Sequence, residues 1–162
     1  MIKIIVAVDK EGAIGKDNDL LYNIKDDLKN FKELTTGNIV VMGKNTWNSL
    51  PIKPLPNREN IVLSNSIDSI EGAKVMKSLE EVKEYIDDLD KDTYIIGGAA
   101  VYNEAIEKKL VDEAHVTFVD DEYKDADTFI SINKLKSILP KQSHICNFKE
   151  EDLKAEYVVL RD

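Results

Sequence analysis

Short apolar runs rich in isoleucine and valine recur through the first two thirds of the chain. They cover residues 2–8, 38–43, 60–65, 73–78 and 93–98. Each run is nearly continuous in apolar residues, as is typical of strands that are covered on both faces. The pattern therefore predicts the strands of a parallel sheet.

Helical periodicity fills the intervals between these runs, over residues 24–35, 78–89 and 99–110. The second helix opens with Ser78 three residues before Glu81, which is the pattern of a capping box. Strands that alternate with helices favour a mostly parallel sheet with helices on both faces.

The last third of the chain departs from this alternation. Residues 113–123 and 155–162 read as strands, with only a weak helical pattern at 132–139 between them. We therefore predict an antiparallel C-terminal edge. The expected fold is α/β, with one domain over residues 1–162, a mostly parallel twisted sheet of about eight strands, and about four helices on both faces.

Composition narrows the class of protein. Hydrophobic residues make up 43% of the 162 positions and charged residues 33%, which predicts a soluble globular protein. No apolar run is long enough to span a bilayer, and the apolar N-terminus reads as a first strand rather than a signal peptide. The single cysteine, Cys146, permits no internal disulfide, which suits a reducing cytoplasm.

The net charge of −9 argues against general nucleic-acid binding, which needs a basic surface. It leaves room for a small anionic ligand, because a helix N-terminus and a few local donors can bind one. Only Arg58 and Arg161 could grip a carboxylate with a planar two-pronged fork. His115 and His144 lack the spacing of metal ligands, so we expect no metal.

Two adjacent aspartates open the helical pattern in LLYNIKDDLKNF, residues 20–31. Asp27 falls on the apolar face between Ile24 and Phe31, whereas Asp26 points away from it. Ionising a carboxylate against an apolar wall is costly, so its pKa should rise unless a partner offsets the cost. Such a group suits a ligand with paired N–H donors, or a reaction that needs a proton. From position alone, helix capping or pairing with a lysine is an equally good interpretation.

Two junctions in the chain run from a strand through glycine into a helix. Gly97 and Gly98 form one, and residues 43–46 form the other, with a lysine, an amide and a hydroxyl after the glycine. Glycines let backbone N–H groups approach an anion at a helix N-terminus, although a tight turn without a ligand explains either junction alone. Two of them favour an extended ligand with several anionic parts, such as a dinucleotide. Residues 64–65 add a third polar strand end.

Taken together, these segments resemble the dihydrofolate reductase family, in its bacterial form. The similar stretches are IGKDNDLLYNIKDDLKNFK (14–32), VVMGKNTWNSLP (40–51), LPNRENIVLS (55–64), YIIGGAAVY (94–102) and DADTFI (125–130), which stand in the family's order and spacing. The resemblance implies hydride transfer from NADPH to dihydrofolate, giving tetrahydrofolate for one-carbon metabolism. It also implies a cytoplasmic monomer with no nucleic-acid or membrane partner.

The resemblance identifies Asp27 as the family's active-site carboxylate. It would bind the pterin ring through paired hydrogen bonds and, with water as carrier, favour protonation of the ring nitrogen beside the carbon that receives hydride. Thr117 matches the threonine that hydrogen-bonds this carboxylate, and Tyr22 and Leu20 complete the implied catalytic set. Besides Asp27 and Thr117, the implied substrate-binding residues are Ile5, Val6, Ala7, Leu28, Phe31, Lys32, Leu50, Leu55, Arg58, Ile96 and Tyr102.

Several of these substrate roles are specific. Arg58 would grip the carboxylate of the folate glutamate, and Ile5 and Ile96 would offer backbone carbonyls to the pterin amino group. Leu28, Phe31 and Leu55 would form the apolar walls around the rings. Ordinary core packing is the competing interpretation for the apolar side chains, and the two interpretations are compatible.

The implied cofactor is NADPH. Residues 97–101 would cradle its pyrophosphate, with Gly97–Gly98 as the family's unusual cis peptide, and Lys44, Ser64 and Asn65 are candidates for its 2′-phosphate. The full implied cofactor set is Ala7, Ile14, Gly15, Gly43, Lys44, Asn45, Thr46, Leu63, Ser64, Asn65, Lys77, Ile96, Gly97, Gly98, Ala99, Ala100, Val101 and Tyr102.

The chain also departs from the family pattern. Leu21 and Tyr22 stand where the family usually has Pro-Trp, whose tryptophan commonly holds an active-site water. Without the proline, we expect the loop over the nicotinamide to be more mobile. Lys25 replaces a second proline, Ala99 replaces a frequent glycine, and residues 49–58 form a segment one residue longer than in compact bacterial relatives.

Two other functions compete with this one. A related reductase of riboflavin synthesis would act on a pyrimidine-like ring, but its substrate has no glutamate tail to explain Arg58, and Asp27 on the buried face also speaks against it. A non-catalytic nucleotide-binding module would not need the buried acid at Asp27. Assays that measure ligand binding and turnover together would separate these functions.

Overall fold

The computed structural model describes residues 1–17 and 19–162, so Asn18, inside the first family-like segment, lies outside the described part. Its strands are β1 (Ile2–Val8), β2 (Ala13–Lys16), β3 (Asp19–Leu20), β4 (Ile39–Gly43), β5 (Glu59–Leu63), β6 (Lys74–Met76), β7 (Thr93–Gly97), β8 (Glu113–Val119), β9 (Thr128–Phe129), β10 (Lys141–Glu150) and β11 (Leu153–Arg161). Its helices are α1 (Lys25–Thr35), α2 (Lys44–Ser49), α3 (Leu79–Ile86), α4 (Ala99–Glu107) and α5 (Ile132–Ile138).

Eight strands form the main sheet, in the order β10-β11-β8-β1-β7-β4-β5-β6. The neighbours from β8 to β6 pair in parallel, as the continuous apolar runs predict. Strand β11 runs antiparallel to β8, and β10 runs antiparallel to β11. These pairings confirm a mostly parallel sheet with an antiparallel C-terminal edge. The described residues form five helices where about four were expected.

Side chains of β1 show how the sheet divides the core. Ile4 and the other even-numbered residues of β1 are buried in the cluster that holds the apolar faces of α3, α4 and α5. Ile5 faces the other way, into a cluster with Leu34 of α1 and Trp47 of α2. Because strand side chains alternate between faces, the odd-numbered residues of β1 line the face where α1 and α2 pack.

Helix boundaries follow local capping chemistry. The Ser78 hydroxyl accepts a hydrogen bond of 3.1 Å from the Glu81 N–H, which confirms the predicted cap and begins α3 at the next residue. The Glu81 carboxylate accepts from the Lys77 N–H at 2.7 Å, one residue before the cap. Helix α1 has no such cap, because Ile24 at its N-cap position offers no side-chain acceptor.

Two parts of the fold were missed from the sequence. Strand β10 is almost entirely exposed and buries only Phe148, so it carries no apolar alternation. It is ordered by its antiparallel pairing with β11. The short strands β3, β2 and β9 form a second sheet and are too brief to show a period. The strand predicted over 113–123 ends at Val119, where three acidic residues begin. No helix among the described residues is long and apolar enough to cross a membrane.

Candidate active site

Asp27 lies in the first turn of α1, on the side that faces the sheet. Its Oδ1 accepts a hydrogen bond of 2.6 Å from Oγ1 of Thr117, which confirms the predicted contact. Thr117 is buried on β8, where it pairs with Ala7 of β1 and Tyr157 of β11. The neighbouring Asp26 is exposed, as the helical spacing predicts. The hydrogen bond from Thr117 on β8 therefore holds the Asp27 carboxyl against the main sheet.

The environment of Asp27 raises the proton affinity of its carboxyl group. Burial raises the pKa of this carboxyl above its ordinary 3.8, and the hydrogen bond from Thr117 offsets only part of that effect. None of the ion pairs between described side chains includes Asp27. The lysine-pairing interpretation therefore finds no support among the described residues, whereas the first-turn position of Asp27 does favour the helix. The carboxyl group is also placed to exchange a proton or to bind paired donors.

Tyr102 reaches from α4 to the same edge of the sheet. It is buried, and its hydroxyl donates a hydrogen bond of 2.8 Å to the carbonyl of Ile5. Burial and the nearby charge of Asp27 raise the pKa of Tyr102, so its hydroxyl stays a neutral donor. A carbonyl oxygen has two lone pairs, so Ile5 can also accept from a ligand amino group.

The predicted apolar walls differ in exposure. Leu28 is 43% exposed on α1, which leaves a large apolar side chain without full cover from the protein. Phe31, Leu50, Leu55 and Ile96 are half-buried, as suits residues that share packing with ligand contact. Lys32 is exposed. Two of the predicted substrate-binding residues lie on β1. Ala7 is half-buried and pairs with Thr117. The Val6 side chain is buried on the other face of the sheet, in the cluster with α3, α4 and α5, so only its backbone can line the site.

Arg58 is oriented by neutral groups. Its Nε donates to the carbonyl of Pro56 at 2.9 Å, and Nη1 donates to Oγ1 of Thr35 in α1 at 3.1 Å. Burial lowers the pKa of Arg58, but a guanidinium stays protonated in proteins. Arg58 is absent from the ion pairs of the described chain. Its charge can therefore serve a ligand carboxylate.

Asn60 holds the loop that carries Arg58, and we did not identify it from the sequence. Its buried amide accepts from the Leu55 N–H and donates to the carbonyls of Leu55 and Arg58, each at 3.0 Å. An asparagine inside an apolar strand run was the available signal, because a buried amide needs partners.

The two glycine junctions meet because β4 and β7 are neighbours. The Gly97–Gly98 peptide is cis, as the resemblance implied, and Gly97 has φ of 140°. A Cβ at Gly97 would lie 3.0 Å from Oγ1 of Thr46, and one at Gly43 would lie 3.4 Å from Val101. A side chain is therefore disfavoured at Gly97 by its positive φ and by the nearby Thr46, whereas one at Gly43 would lie at the limit of ordinary contact. Neither α2 nor α4 has a side-chain cap, so their first N–H groups can bind an anion.

The residues predicted to bind the cofactor near the strand ends differ in exposure and in their contacts with the protein. Lys44, Asn45, Asn65 and Ala100 are exposed, while Thr46, Leu63 and Ala99 are partly buried. The Ser64 hydroxyl accepts from the Ser66 and Ile67 N–H groups, both at 3.3 Å, and orders its own turn. Lys77 forms an ion pair of 3.1 Å with Asp68.

Tyr22 and Leu20 lie in the segment that leads into α1. The Tyr22 hydroxyl donates to Oδ2 of Asp121 at 3.2 Å. Its proton is therefore used in a contact within the protein, unlike the water contact that is common at this position in the family. Burial, with the charge of Asp121, raises the pKa of Tyr22. Leu20 is exposed in β3 and pairs with Gly15 of β2, next to the buried Ile14.

Asp9 connects the loop after β1 to the loop after β8 through hydrogen bonds, and we did not identify it from the sequence. Its buried Oδ1 accepts from the N–H groups of Glu11 and Ala13 at 2.8 and 2.9 Å, and Oδ2 accepts from Tyr123 N–H at 2.8 Å. These bonds join the loop after β1 to the loop after β8. Its position directly after an apolar run was the only sequence signal.

The described residues contain no group of three or more histidine, cysteine, aspartate or glutamate side chains that could hold a metal. His144 lies 2.5 Å from a Glu156 carboxylate oxygen across the C-terminal hairpin. His115 is buried between two other side chains. Both histidines therefore have structural partners.

Comparison with known proteins decides the family. A family model described as "Dihydrofolate reductase" matches residues 1–160. The chain belongs to the dihydrofolate reductase family. Curated family members include a dihydrofolate reductase of Mycobacterium leprae that is 42% identical over 123 residues, covering 74% of this chain and 73% of that protein. One of Staphylococcus aureus is 36% identical over 129 residues, covering 79% and 76%.

Two further matches show the range of the dihydrofolate reductase family. A bifunctional dihydrofolate reductase-thymidylate synthase of Paramecium tetraurelia is 33% identical over 129 residues, which cover 80% of this chain but only 28% of that longer protein. The structure of Enterococcus faecalis dihydrofolate reductase, complexed with NADP(H) and RAB-propyl, aligns over 99% of this chain and 95% of its own, with a TM-score of 0.83 and 31% identity. The family assignment and the predicted fold are confirmed.

Proposed function

We propose that this chain catalyses the NADPH-dependent reduction of 7,8-dihydrofolate to 5,6,7,8-tetrahydrofolate, which supplies carriers for thymidylate, purine and amino-acid synthesis. The observation that carries the proposal is Asp27, a half-buried carboxyl with a raised pKa and one neutral partner, Thr117. Membership in the dihydrofolate reductase family supports the same reaction.

Asp27 binds and orients the pterin. Its two carboxylate oxygens accept hydrogen bonds from a ring N–H and the neighbouring amino group, a paired geometry that fixes the ring. The carbonyls of Ile5 and Ile96 accept the remaining amino hydrogen. NADPH supplies hydride when it is bound. The negative charge of Asp27 favours the protonated form of the pterin nitrogen, with water carrying the proton.

The rest of the substrate is held by contrasting chemistry. Leu28, Phe31 and Leu55 pack on the rings through apolar contact. Arg58 donates two hydrogen bonds from its planar fork to the glutamate carboxylate, a geometry that lysine would match less well.

The residues around the glycine junctions fit a dinucleotide. Gly97 and Gly98 leave room beside Thr46, and two uncapped helix starts favour the charge of a pyrophosphate. Lys44 and Asn65, both exposed at strand ends, provide polar groups for a 2′-phosphate. Ser64, which precedes Asn65 after β5, belongs to the same proposed 2′-phosphate site.

We also propose that the protein is a cytoplasmic monomer with one domain over residues 1–162. The lone Cys146 supports a reducing compartment. Light scattering on the purified protein tests the oligomeric state, and a dimer mass would contradict it.

The test follows the loss of reduced-nicotinamide absorbance with purified protein, NADPH and dihydrofolate. Asp27→Asn is the test variant, and Asp26→Asn is its matched control, because it removes an adjacent but exposed carboxylate. We expect turnover in the wild type and in Asp26→Asn, with collapse near neutral pH in Asp27→Asn. NADPH binding without turnover would indicate a binding module, and turnover only with a pyrimidine-type substrate would indicate the riboflavin-type reductase.

A further inference from the structure

Helix α1, which carries Asp27 in its first turn, begins without a local restraint. Its N-cap residue is Ile24, whose side chain offers no acceptor. Leu21 and Lys25 replace the prolines that would restrain φ before and at the start of the helix. Contacts from distant parts of the chain must therefore fix the point at which α1 begins.

The first such contact is made by Tyr22. Its hydroxyl donates to Oδ2 of Asp121 at 3.2 Å, and its ring packs edge-on against Tyr123 with centroids 6.5 Å apart. The loop that carries these two partners has backbone anchors of its own. The Asp121 carbonyl accepts from Lys10 N–H at 3.0 Å, and Tyr123 N–H donates to Oδ2 of Asp9 at 2.8 Å. Tyr22 is therefore attached to an ordered loop.

The second contact is made by the first residue of the helix. The backbone N–H of Lys25 donates to Oε2 of Glu150, the last residue of β10, at 3.2 Å. Glu150 is itself held at the end of the hairpin by its pairing with Leu153 of β11. Its carboxylate satisfies one of the four N–H groups that a helix leaves open at its start, and its charge suits the positive end of the helix dipole. Glu150 therefore caps α1 from a distant strand.

The two hydrogen bonds lie on either side of a buried residue. Ile24 is 2% exposed and packs in the cluster that contains Val119 of β8 and Phe148 of β10. Asp121 comes two residues after Val119, and Glu150 comes two residues after Phe148. One apolar contact and two hydrogen bonds therefore attach the same short segment to the ends of the same two strands.

The position of Asp27 depends on this attachment. Asp27 is two residues after Lys25, and the helical hydrogen bond of 3.0 Å from Leu28 N–H to the Ile24 carbonyl closes the turn around it. A helix turns by about 100° per residue. A change in how α1 begins would therefore rotate the carboxyl away from Oγ1 of Thr117, which it meets at 2.6 Å.

We propose that Asp121 and Glu150 are positioning residues for Asp27. They hold the Tyr22 hydroxyl and the Lys25 N–H, and so provide the restraint that local capping and proline do not provide in this chain. The consequence for catalysis rests on the proposed reductase function. The attachment of α1 and the environment of Asp27 can be measured without turnover.

Glu150→Ala tests the contact at the start of the helix. We expect KM for dihydrofolate to rise and kcat/KM to fall about tenfold, because a small misplacement of a binding group has effects of this order. KM for NADPH should stay unchanged, since none of the proposed cofactor residues lies in α1. Mere loss of folded protein would lower kcat and leave both KM values as they were.

Two matched variants accompany Glu150→Ala. Glu150→Gln keeps a carbonyl acceptor for the Lys25 N–H, so it should recover most of the activity. Asp152→Ala removes an exposed acid of the same turn, one that has no side-chain hydrogen bond or ion pair within the described chain, and it should keep the wild-type kinetics. Equal losses in Glu150→Gln and Glu150→Ala would contradict an acceptor role.

Lys25→Pro removes the backbone donor itself. Ile24 has φ of −95° and ψ of 117°, an extended conformation that suits a following proline, and Lys25 is the first helical residue, where proline is favoured. We expect Lys25→Pro to stay active, because the fixed φ replaces the hydrogen bond. Adding Glu150→Ala should then cause no further loss. In Lys25→Ala, which keeps the N–H, Glu150→Ala should still lower kcat/KM about tenfold. Equal losses in both backgrounds would overturn positioning through this bond.

The contact of Tyr22 is tested by a double-variant cycle. Tyr22→Phe and Asp121→Ala each remove one partner, so the double variant should be no slower than the slower single one. Asp121→Asn keeps a carbonyl acceptor and should retain more activity than Asp121→Ala. Tyr123→Phe is the control, because it keeps the ring against Tyr22 and removes a hydroxyl that forms no hydrogen bond within the described chain. Additive losses in the cycle would overturn the role of Asp121.

Amide hydrogen exchange measures the attachment without turnover. The Lys25 N–H should exchange at least about tenfold faster in Glu150→Ala than in the wild type, the worth of a hydrogen bond to a charged group. An unchanged exchange rate refutes the attachment. A wild type with this protected amide that does not reduce dihydrofolate refutes the reductase function and leaves the attachment established.

The environment of Asp27 gives a second readout of the same kind. Its carboxyl carbon can be titrated by NMR and assigned by its absence in Asp27→Asn. We expect its pKa to move toward the ordinary 3.8 in Glu150→Ala, because a loosened first turn admits water. It should stay unchanged in Glu150→Gln, which loses the charge but keeps the acceptor. Faster exchange of the Lys25 N–H without any change at Asp27 would refute the positioning role.

Discussion

Two carboxyl groups on the α1 side of the sheet, the buried Glu113 and the half-buried Asp27, have pKa values that are shifted in opposite directions. Glu113 is 5% exposed, yet hydrogen bonds from His115, Lys3 and Arg161 overcome the effect of burial and lower its pKa to about 2. Asp27 receives one hydrogen bond from a neutral hydroxyl, and burial raises its pKa. Burial disfavours both charges, and the partners decide the outcome.

This contrast separates a structural acid from a chemical one. A carboxylate surrounded by cations is held permanently ionised, so it can neither release nor attract a proton at neutral pH. A half-buried carboxyl with one neutral partner has its pKa moved upward, which is the direction that general acid–base chemistry requires of a carboxyl group. The number and charge of the partners therefore indicate which acid serves the reaction.

Removing the chemical acid should give the largest effect. We expect Asp27→Asn to lower kcat at pH 7 by about 10²–10⁴-fold, the usual worth of a positioned acid–base group. The loss should shrink at lower pH, where bulk water supplies the proton. Steady-state rates of the wild type and the variant, measured from about pH 5 to 9, test this expectation. A flat ratio between variant and wild type would contradict the role of Asp27.

The same substitution should stabilise the fold. Because the pKa of folded Asp27 is raised above 3.8, its ionised form opposes folding at neutral pH. Asparagine removes that cost, so the free energy of unfolding at neutral pH should rise. Urea unfolding at pH 7 measures it, with Asp26→Asn as the control that should show no change.

Removing the structural acid should act on stability instead. Glu113→Gln removes the counter-charge that Lys3 and Arg161 share. Lys3 keeps its pair with Asp92 and Arg161 is half exposed, so we expect a loss of about 1–3 kcal/mol in the free energy of unfolding, the cost of unsatisfied buried hydrogen-bonding groups. Glu156→Gln is the control, because its pair with His144 is exposed and should contribute under about 1 kcal/mol. Similar losses in both variants would show that the buried cluster is not special.

The stability of the wild type should fall in acid for the same reason. The depressed pKa of Glu113 contributes stability that is fully present above its unfolded value of 4.5 and is lost as pH falls toward about 2. By linkage this is on the order of 3 kcal/mol. The lowered pKa of His115 acts in the same direction, starting below 6.5. Urea midpoints across this range measure the loss, which Glu113→Gln should largely abolish.

Thr117→Val should lower kcat less than Asp27→Asn does. It removes the donor that lowers the pKa of Asp27, so that pKa should rise further. We expect about a tenfold loss of kcat, the worth of one hydrogen bond to a charged group. Thr93→Val is the control, because the buried Thr93 hydroxyl makes no hydrogen bond to a described residue. An unmoved pH profile in Thr117→Val would contradict the coupling.

The comparison also explains which parts of the site were predictable. Asp27 could be found because its helical spacing placed a charge on an apolar face, and Gly97 and Gly98 because glycines sit at a strand–helix junction. Glu113 could not be assigned, because two of its partners, Lys3 and Arg161, are distant in sequence. Asn60 was missed although its partners, Leu55 and Arg58, lie within five residues of it. Asp9 has two partners nearby but the third, Tyr123, follows a different strand.

By itself, the sequence determined the parallel strands, the main helices, the antiparallel edge and the family, since apolar periodicity and local motifs are written in neighbouring residues. The tertiary structure decided the direction in which the pKa of Glu113 and of Asp27 moves and the pairing of β10 with β11. It also decided that the Tyr22 hydroxyl donates its hydrogen bond to Asp121. These properties depend on which side chains meet across strands, and burial converts each such contact into a shift of proton affinity that no single segment encodes.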